Sequence, residues 1–176
     1  MRTDSGRSTA DGSPGIPDSL LFESMVRVAD LISRKVSAAL TEDELSLSQY
    51  HLLRILSRVP HARLETTEAA RRVPSHAPNV TRLVDRLEAR GLLRRQRCDE
   101  DRRVVWVSLT EAGTNLLRRL SGAVEAAAGD ALGPLGTQDR RLLSELLNQL
   151  QMSLDTEHGT SGWIDDPCGA EPSRRT

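Results

Sequence analysis

One change of hydrophobic period divides this chain and restricts its fold more than any other feature. Before Leu92 and after Leu109, apolar residues recur every three or four positions, which places them on one face of an α-helix. Between these two residues the apolar positions alternate with polar ones, which is the period of a half-buried β-strand. The stretch "CDEDRR" separates two such runs, 92–96 and 104–109, and contains the Asp residues that favour turns. We therefore predict a mostly α-helical chain with a small β-hairpin.

The segments on either side of the hairpin carry the start and stop signals of helices. Side chains that accept hydrogen bonds from free N–H groups precede the apolar stripes, and Pro or Gly follows them. The expected capping residues are Asp18, Ser48, Thr66 or Thr67, a residue near Ser75, Thr110 and Thr137. The expected stops are Pro60, Pro74, Gly91 and the pair Gly133 and Pro134. These signals predict six helices, with long amphipathic ones near both ends.

The two ends of the chain lack apolar periodicity. Residues 1–17 and 156–176 are rich in Gly, Ser, Pro, Asp and Arg, and they bury too little surface to offset the entropy of ordering. We expect disordered tails around one domain at 18–155. No stretch approaches the roughly 20 apolar residues of a membrane span. The first residues also lack the apolar centre of a signal peptide, so we expect a soluble, cytoplasmic protein.

Residue types that carry covalent or metal chemistry are few and scattered. Cys98 and Cys168 lie far apart, so we expect reduced thiols and no disulfide framework. The sequence shows neither a Gly-rich phosphate loop nor a nucleophile motif. The histidines are not spaced as metal ligands: His51, His61, His76 and His158. We therefore expect a protein that is not an enzyme and needs neither a metal nor another cofactor.

The formal charge of −1 hides an uneven distribution. Residues 47–113 carry 13 arginines against 8 acidic residues, a net charge of +5. Residues 1–46 carry 5 basic and 8 acidic residues, and residues 114–176 carry 6 and 9, so each flank has a charge of −3. A basic block between acidic flanks indicates a polyanionic partner. The alternative is an arginine-rich face that is merely solvated.

The order of the central elements favours one architecture. Two short helices joined by a tight turn and followed by a hairpin are the layout of a winged helix-turn-helix. In that layout the second helix lies in the major groove of DNA, and the hairpin, or wing, reaches a neighbouring groove. Arginines at the wing tip suit the narrow, electronegative minor groove, and adjacent carboxylates hold their guanidinium groups in position.

Three stretches carry a resemblance to a known family. The runs "LSLSQYHLLRIL", "NVTRLVDRLEARGLLRR" and "DEDRRVVWVSLTEAG" resemble the multiple antibiotic resistance regulator (MarR) family of bacterial transcription factors. The most specific piece is Asp101-x-Arg103, followed by Leu109-Thr110-x-x-Gly113. The similarity is close over about 45–120, whereas "TTEAARRVPSHAP" departs from the usual pattern in its two prolines and its His.

The resemblance implies an assembly and a mode of action. It implies a homodimer with a DNA-binding lobe at about 46–110 and interlocking helices at about 18–40 and 110–155. Two-fold symmetry then implies a pseudo-palindromic operator on double-stranded DNA. It also implies a repressor released by a small lipophilic or anionic aromatic ligand. A monomer with an intramolecular three-helix bundle is the alternative assembly.

Helix geometry assigns roles to the fourth predicted helix. Its apolar stripe faces the core, so the opposite face presents His76, Asn79, Arg82 and Arg86. We expect Arg82 to contact guanine in a bidentate manner and Arg86 to contact phosphate. The alternative for Arg82 is an ion pair with Asp85 three residues later. Further expected phosphate contacts are Ser48, Ser75 and Thr81.

The wing is the second expected DNA contact. Arg103 matches the wing arginine of the family, with Asp101 and Arg102 beside it. The alternative is that Arg103 only bridges to Asp99 or Asp101 and stabilises the turn. Along the ascending strand, three arginines are expected to act through charge: Arg94, Arg95 and Arg97. We expect Trp106 to pack under the wing.

The effector pocket implied by the family lies between the dimer helices and the DNA-binding lobe. Its candidate lining is Phe22, Met25, His51 and Arg54, which are apolar or cation-capable and lie on the first two helices. Ordinary packing is the alternative for the two apolar residues. Two other functions stay open: a winged-helix module that binds a protein partner, and a redox-responsive regulator that acts through Cys98.

Overall fold

The apolar stripes of the sequence form helices and the alternating runs form strands in the computed structural model, which describes residues 15–73, 80–98 and 101–157. The helices are α1 (Asp18–Ala38), α2 (Leu47–Leu56), α3 (Thr66–Arg72), α4 (Val80–Ala89), α5 (Glu111–Ala131) and α6 (Thr137–Glu157). The strands are β1 (Arg63–Glu65), β2 (Leu93–Arg97) and β3 (Val105–Leu109). Short 3-10 turns at Thr41–Asp43 and Pro60–Ala62 precede α2 and β1. The predicted fold class, mostly helical with a small hairpin, is confirmed.

The hairpin belongs to a three-stranded sheet. β3 lies in the middle and pairs antiparallel with β2 on one side and with β1 on the other. Leu64 of β1 faces Val107, and Arg95 of β2 faces the same residue from the opposite side. The sequence pattern predicted only the two longer strands. β1 was not predicted, because three residues are too few to show a period.

The helix starts differ from the predicted caps at several positions. α2 is capped by Ser46 and not by Ser48, because the Ser46 hydroxyl accepts from the N–H of Gln49 while the Gln49 side chain accepts from the N–H of Ser46. Thr66 is the first residue of α3 and not its cap, and its hydroxyl donates instead to the Val105 carbonyl at 2.8 Å. Asp18 and Thr137 are likewise first helical residues.

The signals around the hairpin are confirmed. Thr110 caps α5 by accepting a hydrogen bond from the N–H of Gly113 at 3.1 Å. Gly91 ends α4 with a φ of +68°, the left-handed conformation that glycine adopts at low cost. The Thr110 hydroxyl also donates to the Gly91 carbonyl at 2.7 Å. The end of α4 and the start of α5 are therefore fastened to each other across the base of the hairpin.

The hydrophobic core lies inside the central lobe. Leucines and valines of α2, α4 and the sheet fill it: Leu52, Leu53, Leu56, Val84, Leu87, Leu93 and Val107 have almost no exposed surface. The last turn of α1 contributes Val36, the segment just after α1 contributes Leu40, and α5 contributes Leu116 and Leu120. The long helices are thus attached to the lobe at one end each.

The rest of the long helices faces solvent in a single chain. Every residue of 137–154 is exposed, although α6 carries six leucines at helical spacing. Residues 18–31 of α1 are equally exposed, including Leu21, Val28 and Leu31. Among the described residues, no helix combines the length and the apolar character needed to cross a membrane. Within the described residues, the apolar stripes of α1 and α6 therefore stay exposed for most of their length.

Candidate nucleic-acid interface

The fourth helix, α4, presents arginine on the side opposite its core contacts. Leu83, Val84 and Leu87 are buried. Arg82 and Arg86 are exposed, because they follow the helical period onto the other face. Thr81 is exposed as well, whereas the predicted contacts Ser75, His76 and Asn79 lie outside the described residues. We call α4 the recognition helix, since its free arginine face has the chemistry that reads base edges.

Asp85 does not engage Arg82 in the predicted i,i+3 pair. Its Oδ1 atom lies 2.6 Å from Nη1 of Arg95, which reaches α4 from β2. Within the part of the chain that the structure describes, Arg82 and Arg86 form no ion pair. Their guanidinium groups are therefore available to an external anion.

The wing, formed by β2, β3 and their connecting turn, carries a preoriented arginine. Asp101 accepts hydrogen bonds from both Nε and Nη2 of Arg103, at 3.1 and 3.2 Å, and from its backbone N–H at 3.0 Å. These hydrogen bonds lower the pKa of the Asp101 carboxyl and raise the pKa of Arg103. The Arg103 side chain is still 91% exposed. The ion pair therefore orients the guanidinium without covering it. The other predicted partner of Arg103, Asp99, lies outside the described residues.

The arginines of β2 point to two sides of the sheet, because successive residues of a strand alternate. Arg94 is exposed and donates from Nε to the Ser108 hydroxyl at 3.0 Å. Arg95 and Arg97 share the other face. Arg102 is exposed in the turn. The wing thus offers positive charge on both of its faces.

A cavity of about 510 Å³ lies between the recognition helix and the wing. Its lining is Glu65, Thr66, Thr67, Thr81, Arg95, Arg97, Arg103 and Val105. The structure thereby brings together predicted residues from α4 and the wing, and it adds Thr67 at the start of α3. Thr66 and Thr67 were predicted only as alternative caps of the third helix. Pairing of β1 with β3 carries them to the wing, and recognising that strand would have placed them there.

Trp106 and Ser48 do not line the cavity between the recognition helix and the wing. Trp106 packs against Arg63, whose guanidinium carbon lies 4.8 Å from the ring centroid. This agrees with the predicted packing of Trp106 under the wing. Ser48 is half-buried in the first turn of α2.

The four residues predicted to line an effector pocket have different environments. Phe22 and Met25 are 65% and 42% exposed on α1. His51 is half-buried, and burial followed by the charge of Arg54 lowers its pKa. Arg54 lies over the Tyr50 ring, 5.9 Å from its centroid. None of the four lines the cavity between the recognition helix and the wing.

The expectation of reduced thiols is wrong for Cys98. This residue is buried at the end of β2 and is disulfide-bonded. Its backbone N–H donates to the Val104 carbonyl at 3.0 Å, which closes the ladder at the turn. Sequence spacing gave no sign of the bond, because distance along the chain does not measure distance in space. Cys168 lies outside the described residues.

Comparison with known proteins agrees with this geometry. The sequence model of the MarR family matches residues 45–105. The chain is 34% identical to a MarR transcription factor from Planctomyces limnophilus, with 77% of this chain and 98% of that chain aligned and a TM-score of 0.58. It is 26% identical to a MarR family transcriptional regulator from Streptomyces coelicolor crystallised in complex with DNA, covering 82% and 93% with a TM-score of 0.67.

A more distant structure shares the fold. A mutant MarR from E. coli complexed with operator DNA is 19% identical, covers 78% of this chain and 99% of that one, and has a TM-score of 0.66. The sequence and the fold of this chain therefore match those of one family over most of its length.

Proposed function

This chain belongs to the MarR family of transcriptional regulators, and on that premise we propose that it is a homodimeric, sequence-specific repressor released by a small ligand. One observation carries most of the proposal. The recognition helix and the wing both present exposed arginines, and the arginine at the wing tip is held by a carboxylate while remaining open to solvent. A surface of this kind suits a polyanion with two adjacent grooves.

In the proposed complex the recognition helix enters the major groove. Arg82 donates two hydrogen bonds to guanine O6 and N7, a pairing that distinguishes G·C from the other base pairs. Arg86 donates to phosphate. The proposed contacts at the helix start are Ser75, His76, Asn79 and Thr81. Ser48 is proposed as a phosphate contact from α2.

The wing reaches the neighbouring minor groove in this proposal. Asp101 fixes the plane of the Arg103 guanidinium, so less rotamer freedom is lost when Arg103 enters the groove. Arg102, Arg94 and Arg97 add positive charge along the flank of the duplex. The wing therefore contributes affinity, and the recognition helix contributes most of the base discrimination.

The proposed dimer uses the exposed apolar stripes of α1 and α6. Interlocked helices of this length bury on the order of 2,000 Å² or more, which is typical of obligate interfaces. Two-fold symmetry then places two recognition helices about one DNA turn apart, or about 10–10.5 bp. The proposed ligand binds where the dimer helices meet the lobe, with Phe22, Met25, His51 and Arg54 as the proposed lining.

Salt dependence of DNA affinity tests the proposal. A duplex enriched from a random-sequence pool should bind the full chain tightly at low salt, and log K should fall by about 0.9 per neutralised phosphate for each unit of log salt. A shuffled duplex of the same composition is the control. If the pool yields no enriched sequence, or if the chain binds the enriched and the shuffled duplex with equal affinity, a winged-helix module that binds a protein partner is favoured.

A second candidate, redox control through Cys98, is favoured by the disulfide of Cys98, which lies where β2 meets the turn of the wing. Thiol reductants supply the two electrons that break such a bond. Reduction would remove a covalent constraint at the end of β2 that leads into the turn. The expected result is a different duplex affinity before and after reduction in the wild type. A Cys98→Ser variant should show the same affinity under both conditions. Equal affinities in the wild type would exclude this candidate.

A further inference from the structure

We propose that Arg95 is a positioning residue that fastens the wing to the recognition helix and does not itself contact DNA. The proposal rests on the proposed DNA-binding function, because the geometry that Arg95 fixes matters for placing two elements on one duplex. It gives Arg95 a role distinct from those of the other wing arginines.

The contacts of Arg95 are concentrated on one stripe of α4. Its Nη1 atom lies 2.6 Å from Oδ1 of Asp85 and 3.4 Å from Oε2 of Glu88. Its Nη2 atom donates to the Thr81 carbonyl at 3.1 Å. Residues 81, 85 and 88 are four and three positions apart, so they lie above one another on the helix. One side chain from β2 therefore spans two turns of the recognition helix.

The backbone of β2 is held at the same point. The N–H of Arg95 donates to Oε1 of Glu88 at 3.0 Å, while the other oxygen of that carboxylate faces the guanidinium. Fastening by both main chain and side chain fixes the strand in position and in rotation about its axis. The spacing between the recognition helix and the wing must match the spacing of adjacent grooves on a stiff duplex. A fixed spacing therefore lets both elements bind without a further ordering cost.

Arg95 differs from the other arginines of the wing in its exposure and in the carboxylates around it. Its side chain is only 28% exposed, and two carboxylates offset its charge. Arg97 lies two residues further on the same face of β2, is exposed, and forms no ion pair within the described residues. Arg97 therefore has the environment of a phosphate contact and Arg95 does not. The two arginines form a matched pair for experiment.

The first test is an Asp85→Asn variant of the full chain, assayed on the duplex enriched from a random pool. Removing a negative charge beside a DNA-binding surface raises affinity when only long-range electrostatics operate. Loss of the fastening should instead weaken binding by about threefold to tenfold. Unchanged or tighter binding by Asp85→Asn would overturn the proposal.

The second test compares the salt dependence of Arg95→Ala and Arg97→Ala on the same duplex. Arg95→Ala should bind several-fold more weakly with the slope of log K against log salt unchanged, because no phosphate contact is lost. Arg97→Ala should lower the magnitude of that slope by about 0.9. An equal fall of the slope in both variants would identify Arg95 as a phosphate contact and contradict the proposal.

Thermal unfolding by circular dichroism shows whether each variant is folded. If Arg95→Ala fails to fold, the Asp85→Asn result decides, since that variant keeps the contacts of Arg95 to Glu88 and Thr81. A wild-type chain that enriches no duplex overturns the proposed function and this inference together. Specific binding by the wild type with no effect of Asp85→Asn overturns this inference alone.

Discussion

The position of an arginine relative to a carboxylate decides what it can do in this protein. Arg103 and Arg95 are both paired with aspartate, yet Arg103 stays 91% exposed and Arg95 is 28% exposed. Arg82 is exposed and unpaired among the described residues. The three side chains are chemically identical, so their proposed roles differ because of their partners and their burial.

Arg82 and Arg103 should differ in the kind of affinity they supply. Arg82→Ala should weaken binding to the enriched duplex by about 1–3 kcal/mol and relax the preference at one base position. Arg103→Ala should weaken binding to enriched and shuffled duplexes by similar factors, because a minor-groove contact discriminates little among major-groove bases. Titrations of both variants on both duplexes check this. Equal losses on the two duplexes for Arg82→Ala would refute its assigned role.

His51 should make folding stability depend on pH. Burial, followed by the charge of Arg54, lowers its pKa from the ordinary value of 6.5. Between the lowered pKa and 6.5 the unfolded chain binds more protons than the folded chain, so the free energy of unfolding falls as pH falls through this window. Urea unfolding on both sides of pH 6.5 measures the effect.

A His51→Gln variant should lose this part of the pH dependence. His61→Gln, at an exposed position, is the control and should retain it. If wild type and His51→Gln show the same pH dependence of the unfolding free energy, the assignment to His51 is wrong.

The packing of α5 against the hairpin depends on a residue without a side chain. A Cβ at Gly113 would lie 2.3 Å from the Leu92 carbonyl oxygen and 2.8 Å from Cδ1 of Leu109. Gly113→Ala should therefore lower the free energy of unfolding by about 1–3 kcal/mol, because backbone must move to relieve the overlap. Gly122 lies in the same helix with nothing within 4 Å of its Cβ position.

Gly122→Ala is the matched control for Gly113→Ala. It should raise helix stability by roughly 0.5–1 kcal/mol, since alanine is the better helix former. Chemical denaturation of both variants measures the two changes. A neutral Gly113→Ala would show that the contact between α5 and the base of the hairpin is loose. The long helix would then be less firmly coupled to the lobe than the structure indicates.

The elements that the sequence predicts well are those with several consistent signals. Gly91 and Thr110 were identified because glycine at a helix end and threonine before an amphipathic run each have one low-energy use. The cap of α2 was predicted two residues too late, at Ser48, because Ser48 also lies before the apolar stripe. Ser46 and Gln49 have the residue types and spacing of a capping box, and they form one in the structure. β1 was missed because its identity comes from pairing with β3 and not from its own three residues.

The candidate site was predictable in part for the same physical reason. Helical periodicity is sufficient to put Arg82 and Arg86 on the exposed face. It does not reveal which carboxylate an arginine from another element will meet. The partner of Asp85 is ten residues away on β2, and only the folded chain shows that contact. Thr66 and Thr67 were predicted only as helix caps, and their place in the cavity was not predicted, for the same reason.

The distribution of apolar surface over the described residues supports the proposed second copy. The leucines of α6 and the first half of α1 remain exposed after the lobe has formed its core. Contiguous apolar stripes of this length are rare on monomeric proteins. In the proposed dimer they cover each other and fix the separation of the two recognition helices.

A charged side chain on the apolar face of α6 should dissociate the proposed dimer. Leu146→Glu should give a monomer with DNA affinity reduced by about tenfold or more, since two half-sites then bind independently. Gln149→Glu, an exposed polar position on the same helix, should stay dimeric. Light scattering coupled to size-exclusion chromatography gives the mass of each variant. A monomeric wild type would support the intramolecular three-helix bundle instead.

Hydroxyl-radical footprinting of the wild-type complex, combined with its mass from light scattering, tests most directly whether paired lobes lie on one duplex. We predict two chains per duplex and two protected segments whose centres are about 10–10.5 bp apart, with protection continuing into the flanking minor grooves. Protection by one chain over one segment, or uniform protection without preferred positions, would contradict the account.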